Sequence, residues 1–141
     1  MKKFLPLLLT LLLTTTVLPV SVLAYQYISA EEVKQNIAAN TPMTLVDIQV
    51  EDEFNQHHIN GAVATYAYPV KSAGDKEKMN AALTTLKTNQ DLAVVVCPRG
   101  GGGAKRAYDY LLESGISESR VFILTKGQAD WPYPELLAPA N

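Results

Sequence analysis

An apolar run, Leu92-Ala93-Val94-Val95-Val96, ends directly in Cys97 and in the loop Pro98-Arg99-Gly100-Gly101-Gly102-Gly103-Ala104, after which a helical pattern begins. So apolar a run, rich in β-branched residues, reads as a strand buried on both faces. A strand of this kind that leads through a loop into a helix belongs in a parallel sheet with crossover helices, which places it centrally in an α/β fold. The loop glycines allow successive backbone N–H groups to turn toward one point, with positive φ expected at Gly101 or Gly102. The helix N-terminus that follows adds positive potential there, so a thiolate or an anionic substrate would be stabilised beside Cys97.

Residues 1–24 stand apart from the rest. Lys2 and Lys3 precede an apolar stretch, and Val22-Leu23-Ala24 presents small or aliphatic residues for cleavage after Ala24. An uncleaved anchor is the rival reading, against which Thr14-Thr15-Thr16, Pro19 and the alanine-ended site argue. The expectation is a cleaved signal peptide over residues 1–24, a periplasmic or secreted domain over residues 25–141, and no stable membrane association after cleavage. That length holds one core. The 12 Lys and Arg against 14 Asp and Glu give a formal net charge of −2 at pH 7, and loss of Lys2 and Lys3 makes it more negative, which argues against a nucleic-acid partner.

Cys97 is the only cysteine, so no internal disulfide forms. Together with His57 and His58 it cannot complete a structural zinc site, and no metal is expected. In an oxidising compartment an unpaired thiol is either inert and buried or reactive. The adjoining glycine run favours reactivity. Arg99, Lys105 and Arg106 form the local basic cluster around it.

Strands are expected at Met43–Ile48, near Val63, at Leu92–Val96 and at Val121–Leu124. Ser29-Ala30-Glu31-Glu32 is a capping box for a helix to Ala39, and Asn40-Thr41-Pro42 ends it. A helical turn is expected at Glu51–Gln56. Asp75 is placed to cap one helix running to about Lys87, with Met79, Leu83 and Leu86 inward. A further helix spans Ala104–Ser114, stopped by a left-handed Gly115. The alternation implies right-handed crossovers and a ligand crevice beyond the carboxyl ends of the strands, where both Asp47 and Cys97 fall. Asp47 reads as a carboxylate capping nearby backbone N–H groups rather than as a base. Trp131 reads as a core anchor.

Five segments in order carry a resemblance: Leu45-Val46-Asp47-Ile48, Glu53-Phe54 with His58-Ile59-Asn60-Gly61-Ala62, Val94-Val95-Val96-Cys97, Leu111-Leu112-Glu113-Ser114-Gly115, and Val121 to Trp131 with its Gly-containing turn. Together they resemble the single-domain rhodanese (thiosulfate sulfurtransferase-like) family across nearly all of residues 25–141. The resemblance implies a three-layer fold with a mainly parallel central sheet flanked by helices. It also implies a catalytic Cys97 that carries sulfur as a persulfide, without a cofactor, from a small anionic donor such as thiosulfate or polysulfide to a thiol or cyanide-like acceptor. The residues expected to bind substrate are Pro98, Arg99, Gly100, Gly101, Gly102, Gly103, Ala104 and Lys105, and the residue matching His58 is structural in that family.

Two departures bear on the substrate. Gln49 stands where many members carry an arginine associated in some with the anionic donor, and the loop is one residue longer than usual, which suits a larger oxyanion. Related phosphatases and arsenate reductases use a Cys, five residues, Arg loop, but here Gly103 occupies the arginine position and removes a bidentate partner for a tetrahedral anion. A non-catalytic sulfur-carrier or binding module is the other alternative.

Overall fold

The computed structural model describes residues 24–139. The leader expected over residues 1–24 lies outside them, apart from Ala24. No helix of the described residues is long and apolar enough to cross a membrane. In chain order the elements are β1 (Tyr27–Ile28), α1 (Ala30–Ala38), β2 (Met43–Asp47), α2 (Glu51–Gln56), β3 (Val63–Ala64), α3 (Ala73–Lys78), α4 (Asn80–Thr88), β4 (Leu92–Val96), α5 (Gly102–Glu113) and β5 (Val121–Leu124).

The five strands form one sheet in the order β1-β5-β4-β2-β3. Every pairing is parallel, and β4 lies in the centre with Val46 opposite Val95 and Asp47 opposite Val96. Strand alternation divides the core in two. Val46, Ala93, Val95, Val121 and Ile123 pack with Leu83, Leu86, Ala107 and Leu111 of α4 and α5, whereas Leu45, Val94, Val96 and Leu124 pack with Val33 of α1 and with Ile59. Cys97 belongs to the first face. The expected three-layer arrangement is therefore present, with each sheet face covered by helix.

Local signals explain the helix ends. Ser29 Oγ accepts the Glu32 N–H at 3.2 Å while Glu32 Oε2 accepts the Ser29 N–H at 2.9 Å, closing the capping box read from sequence. At the end of α5, the Gly115 N–H donates to the Leu112 carbonyl and the Ile116 N–H to the Leu111 carbonyl, with Gly115 at φ +95°. This is the Schellman arrangement that a glycine makes accessible.

The structure departs from the sequence reading in three places. The edge strand β1 has only two residues, too short to leave a period of its own, and its pairing with β5 creates it. The single helix expected from Asp75 to Lys87 is two helices: Ser72 is the cap, Asp75 sits at the third helical position, and Met79 separates α3 from α4. Around Met79 the backbone bonds tighten to a spacing of three residues, from Met79 N–H to the Lys76 carbonyl and from Ala82 N–H to the Met79 carbonyl, which breaks the regular ladder. Third, α5 starts at Gly102, not Ala104, so Gly102, Gly103 and Ala104 form a first helical turn.

Met79 joins the two helices and is wholly buried, beside Leu83 and Leu86 as expected. Met79→Ala should lower unfolding free energy by about 2–5 kcal/mol, measured by urea denaturation, because the junction loses its apolar contact and cannot collapse onto the gap.

Candidate functional site

Cys97 follows β4 at the carboxyl edge of the sheet and is 2 % exposed. Its Sγ accepts the Gly100 N–H at 2.7 Å. Among the hydrogen bonds of the described residues, this is the one that reaches the sulfur. The cradle is consequently tighter than a ring of equivalent amides. Gly100 supplies the direct contact, and the N–H groups at the start of α5, from Gly102 onward, have no intrahelical partner and add positive potential.

The loop keeps this shape because a second loop is pressed against it. The Gln128 N–H donates to the Cys97 carbonyl at 2.8 Å, and the Ala129 N–H to the Pro98 carbonyl at 3.0 Å. Gly127 directly precedes these two donors, at φ +68°; a Cβ there would overlap the Cys97 carbonyl oxygen and stand 2.7 Å from the Gly100 nitrogen. Gly100 itself has φ +72°, and a Cβ on it would lie 2.9 Å from the Lys126 nitrogen. Positive φ thus falls at Gly100 rather than at Gly101 or Gly102, correcting the expectation. Gly101 has φ −97° and open space around a Cβ. Gly103 is required for contact of another kind, since a Cβ there would reach the Tyr68 ring at 2.7 Å.

The basic cluster does not converge on the sulfur as a group. Arg99 is exposed on the loop. Lys105 is exposed with Nζ 5.3 Å from the centre of the Tyr25 ring, directed along α5 toward the start of β1. Arg106 Nε donates to the Pro69 carbonyl at 2.9 Å. Arg99 is left as the cation of the Cys97 loop without such a partner among the described residues.

Asp47 and Cys97 share the carboxyl edge but emerge on opposite faces of the sheet, because Asp47 alternates with Leu45 and Cys97 with Val95. Asp47 is fully buried and accepts the Gln49 N–H at 2.9 Å and Gln49 Nε2–H at 3.0 Å. Gln49, itself 2 % exposed, also donates to the His57 carbonyl. Burial pushes the Asp47 carboxyl up to about 6, and Glu53 adds to this, against the opposing pull of the two Gln49 donors and of His58. Asp47 is thus a cap and a wall support, as its sequence context indicates. His58 stacks on Phe54 with ring centres 3.7 Å apart and donates from Nδ1 to the Phe54 carbonyl, which makes it structural. Trp131 packs partly buried on the α1 face of the core.

Beside the loop is a cleft of about 170 Å3 lined by Gln49, Glu53, Gln56, His57, Pro98, Arg99 and Ala129. Sequence reasoning singled out Pro98 and Arg99 here. It gave no binding role to Glu53, Gln56 or Ala129, nor did it find the packing of Tyr68 and Gly127 against the loop. The usable signal was Gly127 itself, a glycine in a turn immediately after a buried strand; the α2 residues left none, since their side chains reach the loop only through the sheet order. Among the described residues, no group of His, Cys, Asp and Glu is arranged to hold a metal.

Gly127→Ala should cost more than about 1 kcal/mol of stability in urea denaturation, because alanine is strained at that φ and meets backbone, whereas Gly101→Ala should stay within about 0.5 kcal/mol of the parent. A second expectation concerns pH. Between about pH 4 and 6 the folded chain holds a proton on Asp47 that the unfolded chain has lost, so stability from this group is fully present below about pH 4 and is lost as pH rises through 6. Asp47→Asn stays neutral throughout. The difference in unfolding free energy between variant and parent should therefore shift in favour of the variant by about 3 kcal/mol from pH 4 to 7.

The comparisons with known proteins agree with this fold. The model of the Rhodanese-like domain matches residues 29–132. Among solved structures, the chain is similar to a Saccharomyces cerevisiae homolog of single-domain rhodanese and the Cdc25 phosphatase catalytic domain, at 17% identity over 81% of this chain and 87% of that one, with a TM-score of 0.68. It is also similar to the As-Sb reductase from Leishmania major (19% identity, 81% and 85% covered, TM-score 0.60). A rhodanese-like domain protein from Staphylococcus aureus matches at 22% identity, with 75% and 90% covered and a TM-score of 0.57. No curated protein matches the sequence. The strand order, the cysteine at the end of β4 and the extent of the family match together make this chain a member of the rhodanese-like domain family.

Proposed function

We propose that this protein is a sulfurtransferase that carries sulfane sulfur on Cys97. The observation that supports the reading best is the 2.7 Å approach of the Gly100 N–H to Sγ at the mouth of a helix N-terminus. A donor hydrogen bond and the α5 dipole both favour a negative sulfur, whether thiolate or persulfide.

In the first step the Cys97 thiolate attacks the outer sulfur of thiosulfate. The new S–S bond forms as the S–S bond of the donor breaks, the electron pair leaves with sulfite, and the enzyme holds a persulfide anion. In the second step an acceptor thiolate attacks the outer persulfide sulfur, the Cys97 S–S bond breaks, and its electron pair restores the thiolate while the acceptor departs as its own persulfide. Polysulfide donors follow the same course with a shorter polysulfide leaving. No cofactor is needed, because sulfur is nucleophile, electrophile and leaving group in turn. The loop from Pro98 to Ala104 acts as the anion cradle, with Arg99 as its cation. Lys105, held over Tyr25, contributes at most long-range charge.

Phosphatase chemistry is less well supported, because Gly103 occupies the arginine position and the Tyr68 ring packs where its side chain would begin. A carrier module without turnover would share the first step and lack the second. The proposal also places the protein in the periplasm or outside the cell, on the strength of the leader-like residues 1–24 alone.

Incubation with thiosulfate or polysulfide should add the mass of one sulfur atom to the intact protein, and this adduct should discharge when a small thiol is supplied. Cys97→Ser should abolish the adduct without loss of cooperative unfolding. An adduct that persists in Cys97→Ser rejects the assignment, and one that forms but never discharges identifies the carrier module instead.

A further inference from the structure

The cleft beside the Cys97 loop has an unusual charge arrangement. Glu53 from α2 and Arg99 from the cysteine loop both line it. Neither takes part in a salt bridge among the described residues, where the ion pairs are Lys34–Glu135 and Lys126–Asp130. One carboxylate and one guanidinium therefore face the same small volume without neutralising each other. Gln49, buried and held by hydrogen bonds, lines the same cleft. Its Nε2 is engaged by Asp47 and the His57 carbonyl, while Oε1 has no hydrogen-bond partner among the described residues. A fixed amide oxygen and a carboxylate form an acceptor end suited to an ammonium group. The guanidinium at Arg99 forms a donor end suited to a carboxylate.

A compact ligand that bears both charges fits such a lining better than a simple anion, which would meet Glu53 unfavourably. A cation without a carboxylate would likewise leave Arg99 unmatched. Pro98 and Arg99 directly follow Cys97 in the chain, so a ligand held here lies next to the sulfur-bearing loop. We infer that this cleft binds a zwitterionic low-molecular-weight aminothiol of the cysteine class as the sulfur acceptor, with Glu53 and Gln49 holding its ammonium group and Arg99 its carboxylate. The acceptor role rests on the sulfur-transfer reading above; the recognition of a zwitterion does not. In the transfer step the bound thiolate takes the outer sulfur of the Cys97 persulfide and leaves as an aminothiol persulfide, while the Cys97 thiolate is regenerated.

Two measurements separate these layers. In the first, S-methylcysteine, which cannot accept sulfur, is titrated into the isotope-labelled protein and backbone amide shifts are followed. Saturable shifts confined to the cleft, at Gln49, Glu53, Gln56, His57 and Arg99, are expected, with weaker binding in Glu53→Gln and in Arg99→Gln. Absence of cleft shifts overturns the inference whether or not Cys97 accepts sulfur. In the second, protein carrying the Cys97 persulfide is discharged in single turnover with cysteine, with 3-mercaptopropionate, which lacks the ammonium, and with cysteamine, which lacks the carboxylate. Glu53→Gln should lower the cysteine to 3-mercaptopropionate rate ratio about tenfold, and Arg99→Gln should lower the cysteine to cysteamine ratio similarly. Ratios unchanged from the parent in both variants overturn the acceptor assignment. Failure to load the persulfide at all overturns the sulfur-transfer reading while the binding result still stands or falls alone.

Discussion

The contact between the Cys97 loop and the turn after β5 determines everything at this edge of the sheet. Two backbone hydrogen bonds, from Gln128 and Ala129 to the carbonyls of Cys97 and Pro98, tie the loops together, and two glycines of positive φ make the approach sterically accessible. A side chain on Gly127 would separate the loops, and with them the Gly100 N–H from the sulfur. The position of the Gly100 donor is thus a property of packing between neighbouring strands β4 and β5, because adjacent parallel strands deliver their loops to the same side of the molecule.

The buried Asp47 and Gln49 form a second device on the other face of the sheet. A carboxyl deprived of water takes both donors of one residue, and this holds Gln49 rigidly at the cleft wall. The cost of burying the carboxyl appears as its raised pKa. What the arrangement provides is an immobile amide in the wall of a cleft that Glu53 and Arg99 also line. The cleft is lined jointly by α2, the end of β2 and the Cys97 loop, whereas the sulfur is held by the β4–α5 junction alone.

Much of the fold was legible because its signals are local and strong. The Leu92–Val96 run could hardly be anything but a central strand, Ser29 with Glu32 carried its own capping geometry, and Gly115 stood where a helix end needs a left-handed residue. The failures have equally physical causes. β1 is made by its partner rather than by its two residues, and the break at Met79 replaces a regular helical ladder by tighter turns without a glycine or proline to announce it. The glycine run reads from sequence as a loop cradling an anion, with the helix beginning only at Ala104, yet half of the run belongs to the first turn of α5, where helical backbone suits glycine without requiring it.

At the site the division is similar. Sequence alone determined the identity of the thiol, its position between a buried strand and a helix, the glycines that permit close approach, and the family to which the chain belongs, because each of these depends on neighbours along the chain or on a series of ordered motifs. Only the tertiary structure decided which glycine touches the sulfur, that Lys105 turns toward Tyr25, that Asp47 and Cys97 part to opposite faces, and that Glu53 and Arg99 border one cleft. Those facts rest on strand order and on contacts between residues distant in sequence, where the pleat sends adjacent side chains to opposite sides and packing brings remote loops together.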